Sequence, residues 1–205
     1  PQPFDQDKGL IQQYADYLFH PTADEMYPDR FQLSVHISQL AKELEGEFRP
    51  GHFDGMATVV LKLLHLCQPT RIYFGLKDYQ QYLIVSQMVK DLNIPVGVVG
   101  VSTAREESGL ALSSRNQLLS LSEKESAARI YSVLQQIKKR ILQGDRNVDI
   151  IEKWAQHQLE SVSHGKLEYI SIRTKNLAPL LTINQDVVIL VAIHIGKVRL
   201  IDNII

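Results

Sequence analysis

The chain has 205 residues, with 22 Lys and Arg against 23 Asp and Glu, a formal net charge of -1 and 44% hydrophobic residues. That suffices for a substantial core in one large domain or two small ones and is too apolar for a disordered chain. The even charge leaves no footprint for nucleic acid, no run approaches the ~20 apolar residues of a membrane span, and the lone Cys67 excludes a disulfide framework or a multi-cysteine zinc site.

Residues 8–14 read as a short helix leading into a buried strand at Tyr17-Leu18-Phe19. Phe31, Leu33, Val35 and Ile37 alternate with polar residues, the period of a half-buried strand. Glu43 to Arg49 reads as a surface connection. Met56, Val59, Val60, Leu63 and Leu64 form the stripe of an amphipathic helix, with Asp54 as its cap and Cys67 in its apolar end, a core position. Arg71 to Phe74 is a strand ending at Gly75. A second helical stripe runs from Tyr82 to Leu92, and Val96 to Val101 is a further strand. Strand, helix, strand with short joints implies a parallel crossover unit.

Beyond residue 103 the character changes. Ser122 and Glu125 have capping-box spacing ahead of the face Ile130, Leu134, Ile137 and Ile141, with Gly144 closing the helix. Asn147 caps a second helix carrying Ile151 and Trp154. Leu167 to Ile172, Val187 to Ile193 and Val198 to Ile201 are β-rich, and Gly196-Lys197 joins the last two as a hairpin. The expected fold is α/β: a parallel sheet with helices over residues 1–103, then a small α+β domain with antiparallel strands over 104–205.

Three loops carry candidate chemistry. Gly75-Leu76-Lys77-Asp78 lies at the carboxyl end of a strand, where ligands bind in open α/β sheets. Gly75 permits close backbone approach, Lys77 offers a cation for phosphate, and Asp78 an acceptor for a ribose hydroxyl or a helix cap. Ser113-Ser114-Arg115-Asn116 places two hydroxyls and a guanidinium in sequence, a set able to wrap a phosphate or to make a polar turn. Arg49-Pro50-Gly51-His52-Phe53 sets His52 just before a helix, as a structural donor or a base. The histidines show no metal-ligand spacing, so no metal-binding residue is assigned.

In that order, Arg49 to Phe53, Gly75-Leu76-Lys77-Asp78-Tyr79-Gln80-Gln81 and Gly109-Leu110-Ala111-Leu112-Ser113-Ser114-Arg115-Asn116 resemble the pantoate–β-alanine ligase family, as do the closing segments Ile189 to Ala192 and Arg199 to Asn203. The resemblance runs from about Leu10 to the last residue. It implies a partial Rossmann-like, nucleotidyltransferase-type domain, a smaller closing domain, a homodimer, and the substrates pantoate, β-alanine and ATP with Mg²⁺. The single cysteine and the lack of a signal segment at the start of the sequence make a reducing cytoplasm the expected location. The implied chemistry makes pantoyl adenylate and pyrophosphate, after which the β-alanine amine displaces AMP.

Carried over, Gly75, Leu76, Lys77, Asp78, Ala104, Leu112, Ser113, Ser114 and Arg115 would contact ATP, with Lys77, Ser113, Ser114 and Arg115 holding phosphates. Gln81, Val59 and Val60 would bind pantoate. The family carries Glu where this chain has Leu76, and its upstream paired-histidine segment has no counterpart among these residues. The expectation is therefore a truncated chain that is inactive as given. The alternatives are a noncatalytic C-terminal fragment that keeps the fold and dimer surface, or another adenylyl-transferring enzyme of the same superfamily.

Overall fold

A computed structural model describes residues 4–205. Among the described residues, seven helices and five strands follow in order: α1 (Phe4–Ile11), α2 (Ala23–Met26), α3 (Glu45–Phe48), α4 (His52–Cys67), β1 (Arg71–Gly75), α5 (Tyr79–Asp91), β2 (Gly97–Val101), α6 (Leu121–Leu142), α7 (Val148–Glu160), β3 (Gly165–Thr174), β4 (Val187–Ile195) and β5 (Val198–Ile204). Two 3₁₀ turns, Leu76–Asp78 and Ser114–Leu118, sit at the loops singled out above.

The crossover unit forms as expected. β1 and β2 pair in parallel, from Arg71 opposite Gly97 to Gly75 opposite Val101, with α5 between them in the chain. Phe53, Ala57 and Leu64 of α4 and Ile84, Val85, Met88 and Val89 of α5 are the buried centre of this half. The second half is an antiparallel sheet of order β3-β4-β5, against which α6 and α7 bury Ile130, Leu134, Ile137, Ile151 and Leu159. A third cluster joins the halves: Leu44 and Tyr79 meet Leu177, Val188 and Leu190.

Several local expectations change. Tyr17-Leu18-Phe19 is not a strand, and Tyr17 is 94% exposed. Residues 31–37 are also extended without pairing. Their backbone donors go to helix α4 instead: Val35 N–H donates to Thr58 Oγ1 at 2.9 Å and Ile37 N–H to Asp54 Oδ1 at 2.9 Å. Side chains of α4 thus satisfy the donors a strand partner would have taken. Asp54 is consequently a docking residue and not the cap; Gly51 holds the cap position with φ 75°.

The capping box lies two residues earlier than its spacing suggested. Ser120 Oγ accepts from Glu123 N–H, and Glu123 accepts from Ser120 N–H at 2.8 Å. Asn147 caps α7 by accepting from Ile150 N–H at 3.1 Å, and Gly144 follows α6 with φ 110°, both as expected. Cys67 is exposed, because the α4 stripe ends at Leu64 and the last turn projects beyond the core. The connection at 43–49 holds α3, which is short but buried at Glu45 and Gly46. A Cβ on Gly46 would stand 2.1 Å from the Ala41 carbonyl oxygen, so only glycine permits this close packing.

Candidate active site

β1 ends at Gly75 and turns through Leu76–Asp78 into α5, so Lys77 and Asp78 are delivered to the carboxyl edge of the parallel pair. A Cβ at Gly75 would meet nothing within 4 Å, which leaves the strand end open. The 3₁₀ turn is fixed from across the molecule. Asn203 of β5, itself buried, donates from its side-chain amide to the Leu76 and Lys77 carbonyls, both at 2.8 Å. Asp78 does not cap α5 with its side chain; its carboxylate lies 3.9 Å from Lys77 Nζ. Leu76 turns inward, and a Cβ on Gly100 of β2 would stand 2.7 Å from Leu76 Cδ2. The Leu76 side chain is thus packed against β2 at a point where only glycine leaves it room.

Two clefts meet at Lys77. The first is lined by Arg49, His52, Lys77, Asp78, Gln81 and Tyr169 among others. The second is lined by Lys77, Ser113, Arg115, Asn116 and Arg199 among others. Lys77, Ile201 and Asp202 border both. The structure therefore brings Lys77, Asp78, Gln81, Ser113 and Arg115 to two adjoining clefts that share Lys77.

Other expected site residues stand apart from this lining. Val60 packs against the α4–α5 core, and Val59 is half-buried on the same helix. Leu112 is exposed and donates its N–H to the Ala104 carbonyl at 2.9 Å; Ser114 is exposed at the start of its turn. Ser113 Oγ accepts from Arg115 N–H at 3.2 Å, shaping the turn that presents Arg115.

A buried ionic network forms the wall between the clefts. Arg199 of β5 makes paired bonds to Glu45, at 2.7 and 2.9 Å, and two more to Glu168, at 2.9 and 2.7 Å. Tyr169 hydroxyl donates to Glu45 at 2.8 Å, and His194 meets Glu168 at 2.7 Å. Consecutive residues of a strand ordinarily face opposite sides. A bulge in β3 between Leu167 and Tyr169 lets Glu168 and Tyr169 serve one network.

Burial alone would raise the Glu168 carboxyl, but the bonds from Arg199 and His194 outweigh it and hold it below the ordinary value. Burial would likewise lower Arg199, yet its carboxylate partners raise it. Burial, with Glu45 alongside, pushes the Tyr169 phenol far up, so it remains a donor. Gln80 completes this wall, accepting from Glu45 N–H at 3.1 Å and donating to the Leu40 and Glu43 carbonyls.

Asp202 and Arg105 make a second anchor, bonded at 2.6 and 2.9 Å, with the guanidinium 3.8 Å from the Tyr131 ring centre. Arg105 also donates to Gly109 O, so it ties the loop before Ser113 to β5. Sequence spacing does not reveal Glu45, Glu168, Tyr169 or Arg199. Their partners are 31 or more residues away, except Glu168–His194 at 26, and only the fold juxtaposes them. The sole local sign is the Glu45-Gly46 pair, since the tight glycine marks a buried turn in an otherwise polar run.

A family model described as Pantoate-beta-alanine ligase matches residues 1–205. The chain belongs to that family. Among named relatives, the pantothenate synthetase of Sulfurihydrogenibium sp. is 44% identical over 207 residues, covering 100% of this chain and 74% of its own length. That of Aquifex aeolicus is 48% identical over 190 residues, covering 92% and 67%.

Two solved structures extend this family likeness to three dimensions. Pantothenate synthetase from Thermus thermophilus superposes with a TM-score of 0.94 at 42% identity, over 100% of this chain and 75% of that one. Pantoate-beta-alanine ligase from Francisella tularensis, complexed with Beta-gamma ATP and β-alanine, has a TM-score of 0.76 at 36% identity, over 100% and 70%. The nucleotidyltransferase-like fold of this ligase family is the one described above.

Proposed function

We propose that the protein joins pantoate to β-alanine at the expense of ATP, through a pantoyl-adenylate intermediate. The observation that carries this reading is Lys77, which borders two clefts of different character. One has Gln81 and a wall of polar side chains; the other has Ser113 and Arg115. An adenylating ligase needs such a junction, because an acid from one side must meet the α-phosphate from the other.

In this reading Gln81 fixes pantoate with a neutral amide, which binds a hydroxyl or carboxylate without needing a counter-charge. Arg115 and Ser113 hold the phosphates, and Lys77 neutralises charge as the pantoate oxygen attacks phosphorus and pyrophosphate leaves. Such chemistry is served by positioning and fixed charge more than by covalent help. Asn203 keeps the Lys77 backbone in place, so the ammonium is aimed before substrate arrives. Gly75 and Asp78, at the open strand end, face the nucleoside, while Leu76 supports the turn from beneath.

In this proposal Val59 and Val60 flank pantoate on its apolar side, and Ala104, Leu112 and Ser114 flank the nucleotide. Among the described residues no cluster of three His, Cys, Asp or Glu side chains is placed to hold a metal. The Mg²⁺ of this proposal would be carried on the ATP phosphates, as such ions ordinarily are. When bound it would supply further neutralisation of phosphate charge.

We also place the division between the two domains near residues 103 and 104, and expect a cytoplasmic homodimer. The supports are the segregated cores and the family membership. Among the described residues no helix is long and apolar enough to cross a membrane. The test is AMP release by the full-length protein. Release should require ATP, pantoate and β-alanine together. Release that proceeds equally with an unrelated acid would favour another adenylyl-transferring activity.

A further inference from the structure

The phosphate-side cations have assigned work, but the first cleft also holds a guanidinium with none. Arg49 is half-buried and lines this cleft, and among the described residues its side chain has no hydrogen bond or ion pair. Arg105, Arg115, Arg173 and Arg199 all have partners. Glu45 and Asp78 lie near enough to favour its charge but neither is bonded to it, and a bidentate carboxylate would supply the missing partner. Next to it on the same lining stands His52, whose ring likewise has no hydrogen-bond partner among the described residues.

We propose that Arg49 and His52 form the β-alanine subsite, Arg49 binding the carboxylate and His52 accepting the proton that frees the amine. This rests on the ligase reading above and names the acceptor end of the same site. The acyl acid is a poor alternative occupant for Arg49. Its carboxylate oxygen must remain nucleophilic and reach phosphorus near Lys77, whereas the acceptor's carboxylate is a spectator that benefits from a fixed clamp. β-Alanine separates its two ends by two methylenes, so ammonium and carboxylate lie roughly 4–5 Å apart by ordinary bond lengths. That span lets one molecule address neighbouring Arg49 and His52.

The groups around His52 suit a proton acceptor. Burial lowers its imidazole below the ordinary value, and Arg49 and Arg115 lower it further, against the opposing pull of Glu45 and Asp78. Lys77 faces the same cleft. The ring is therefore neutral when the ammonium arrives. His52 takes one proton, and the amine lone pair forms a C–N bond at the adenylate carbonyl. The bond from that carbon to the AMP phosphate oxygen breaks with its electron pair on AMP. The nitrogen's second proton leaves to solvent, giving amide, AMP and two protons.

The experiment separates the two half-reactions of the full-length protein. Pantoate-dependent exchange of pyrophosphate into ATP reports the first; β-alanine-dependent AMP release reports the second. Arg49→Ala should raise KM for β-alanine roughly 10- to 100-fold, the worth of a charge-assisted clamp. Exchange should stay within about threefold of the parent. Arg49→Lys should lie between. His52→Gln should slow the second half-reaction roughly 10²-fold or more, the contribution of a positioned base. Its rate should also keep rising with pH where the parent's has levelled.

Propylamine, which lacks the carboxylate, gives a control that needs no variant: the parent should use it far less well than β-alanine. Equal use of propylamine, or loss of exchange in Arg49→Ala to the same degree as AMP release, would overturn the subsite. Absence of exchange in the parent would instead overturn the ligase reading on which it rests.

Discussion

The side-chain amide of Asn203 donates to the carbonyl of Lys77 at 2.8 Å, so the last strand of the second sheet holds the turn that follows the first strand of the parallel pair. The same amide reaches Leu76. One residue thus fixes the backbone beneath the lysine that borders both clefts, and it does so across a separation of 126 residues.

Lys77→Ala should lower turnover by roughly 10²–10³, as expected for losing one preorganised charge on the reacting phosphate. Its effect on folding should be within about 0.5 kcal/mol, because the turn is held through its carbonyl and not its ammonium. Steady-state rates and urea titration check both. Near-normal turnover would return Lys77 to a solvated turn residue.

Gln81→Ala should weaken pantoate by about 1–3 kcal/mol, the cost of leaving a polar partner unpaired, with little change for ATP. Isothermal titration with each substrate separates the two. A loss confined to ATP would move Gln81 to the nucleotide side. Its neighbour Gln80 offers a contrast, since it is buried and bonded to the chain around Glu45. Gln80→Ala should cost stability first.

How much of this was readable beforehand depends on how far apart the partners lie. Gly75 to Asp78 and Ser113 to Arg115 are contiguous loops, and their residue types reveal them without a fold. The crossover unit was legible because its stripes are local and periodic. Residues 31–37 failed for an instructive reason. Their alternation is real, and Val35 and Ile37 do pack on the core, but their donors find Thr58 and Asp54 on a helix. Alternation shows which side chains are buried; it does not say what satisfies the backbone. Glu45 and Arg199 were invisible for the opposite reason, since neither has any local partner and each looks like an ordinary surface charge.

Arg199→Ala tests that hidden pair. Its side chain is 15% exposed, and removing it leaves the Glu45 and Glu168 carboxylates, 9% and 14% exposed, without their cation. Destabilisation of about 3–5 kcal/mol is expected for breaking a buried pair from one side. A loss under about 1 kcal/mol by urea denaturation would show that the network contributes little. Arg115 also donates to the Arg199 carbonyl, at 3.1 Å, so the turn presenting Arg115 should loosen with it.

Glu152 provides a pH signature far from the clefts. Burial raises its carboxyl above the ordinary value near 4.5, only partly offset by the bond from Ile172 N–H and by Arg173 and Ser171. The folded state therefore binds the proton more tightly than the unfolded one, and stability falls as pH rises from about 4.5 through the raised value. Glu152→Gln removes the ionisation while keeping an acceptor for Ile172. The variant should be more stable than the parent at pH 7, and the advantage should shrink as pH falls toward 4.5. An advantage that does not change with pH would contradict the assignment.

The proposed adenylate is tested most directly by isotope exchange. Full-length protein is incubated with ATP, pantoate and labelled pyrophosphate, with β-alanine left out. Label should enter ATP only when pantoate is present, and exchange in Lys77→Ala should fall by the same roughly 10²–10³ as turnover. No exchange from a preparation that still makes pantothenate when β-alanine is added would contradict it, because the acid would then not be activated before the amine arrives.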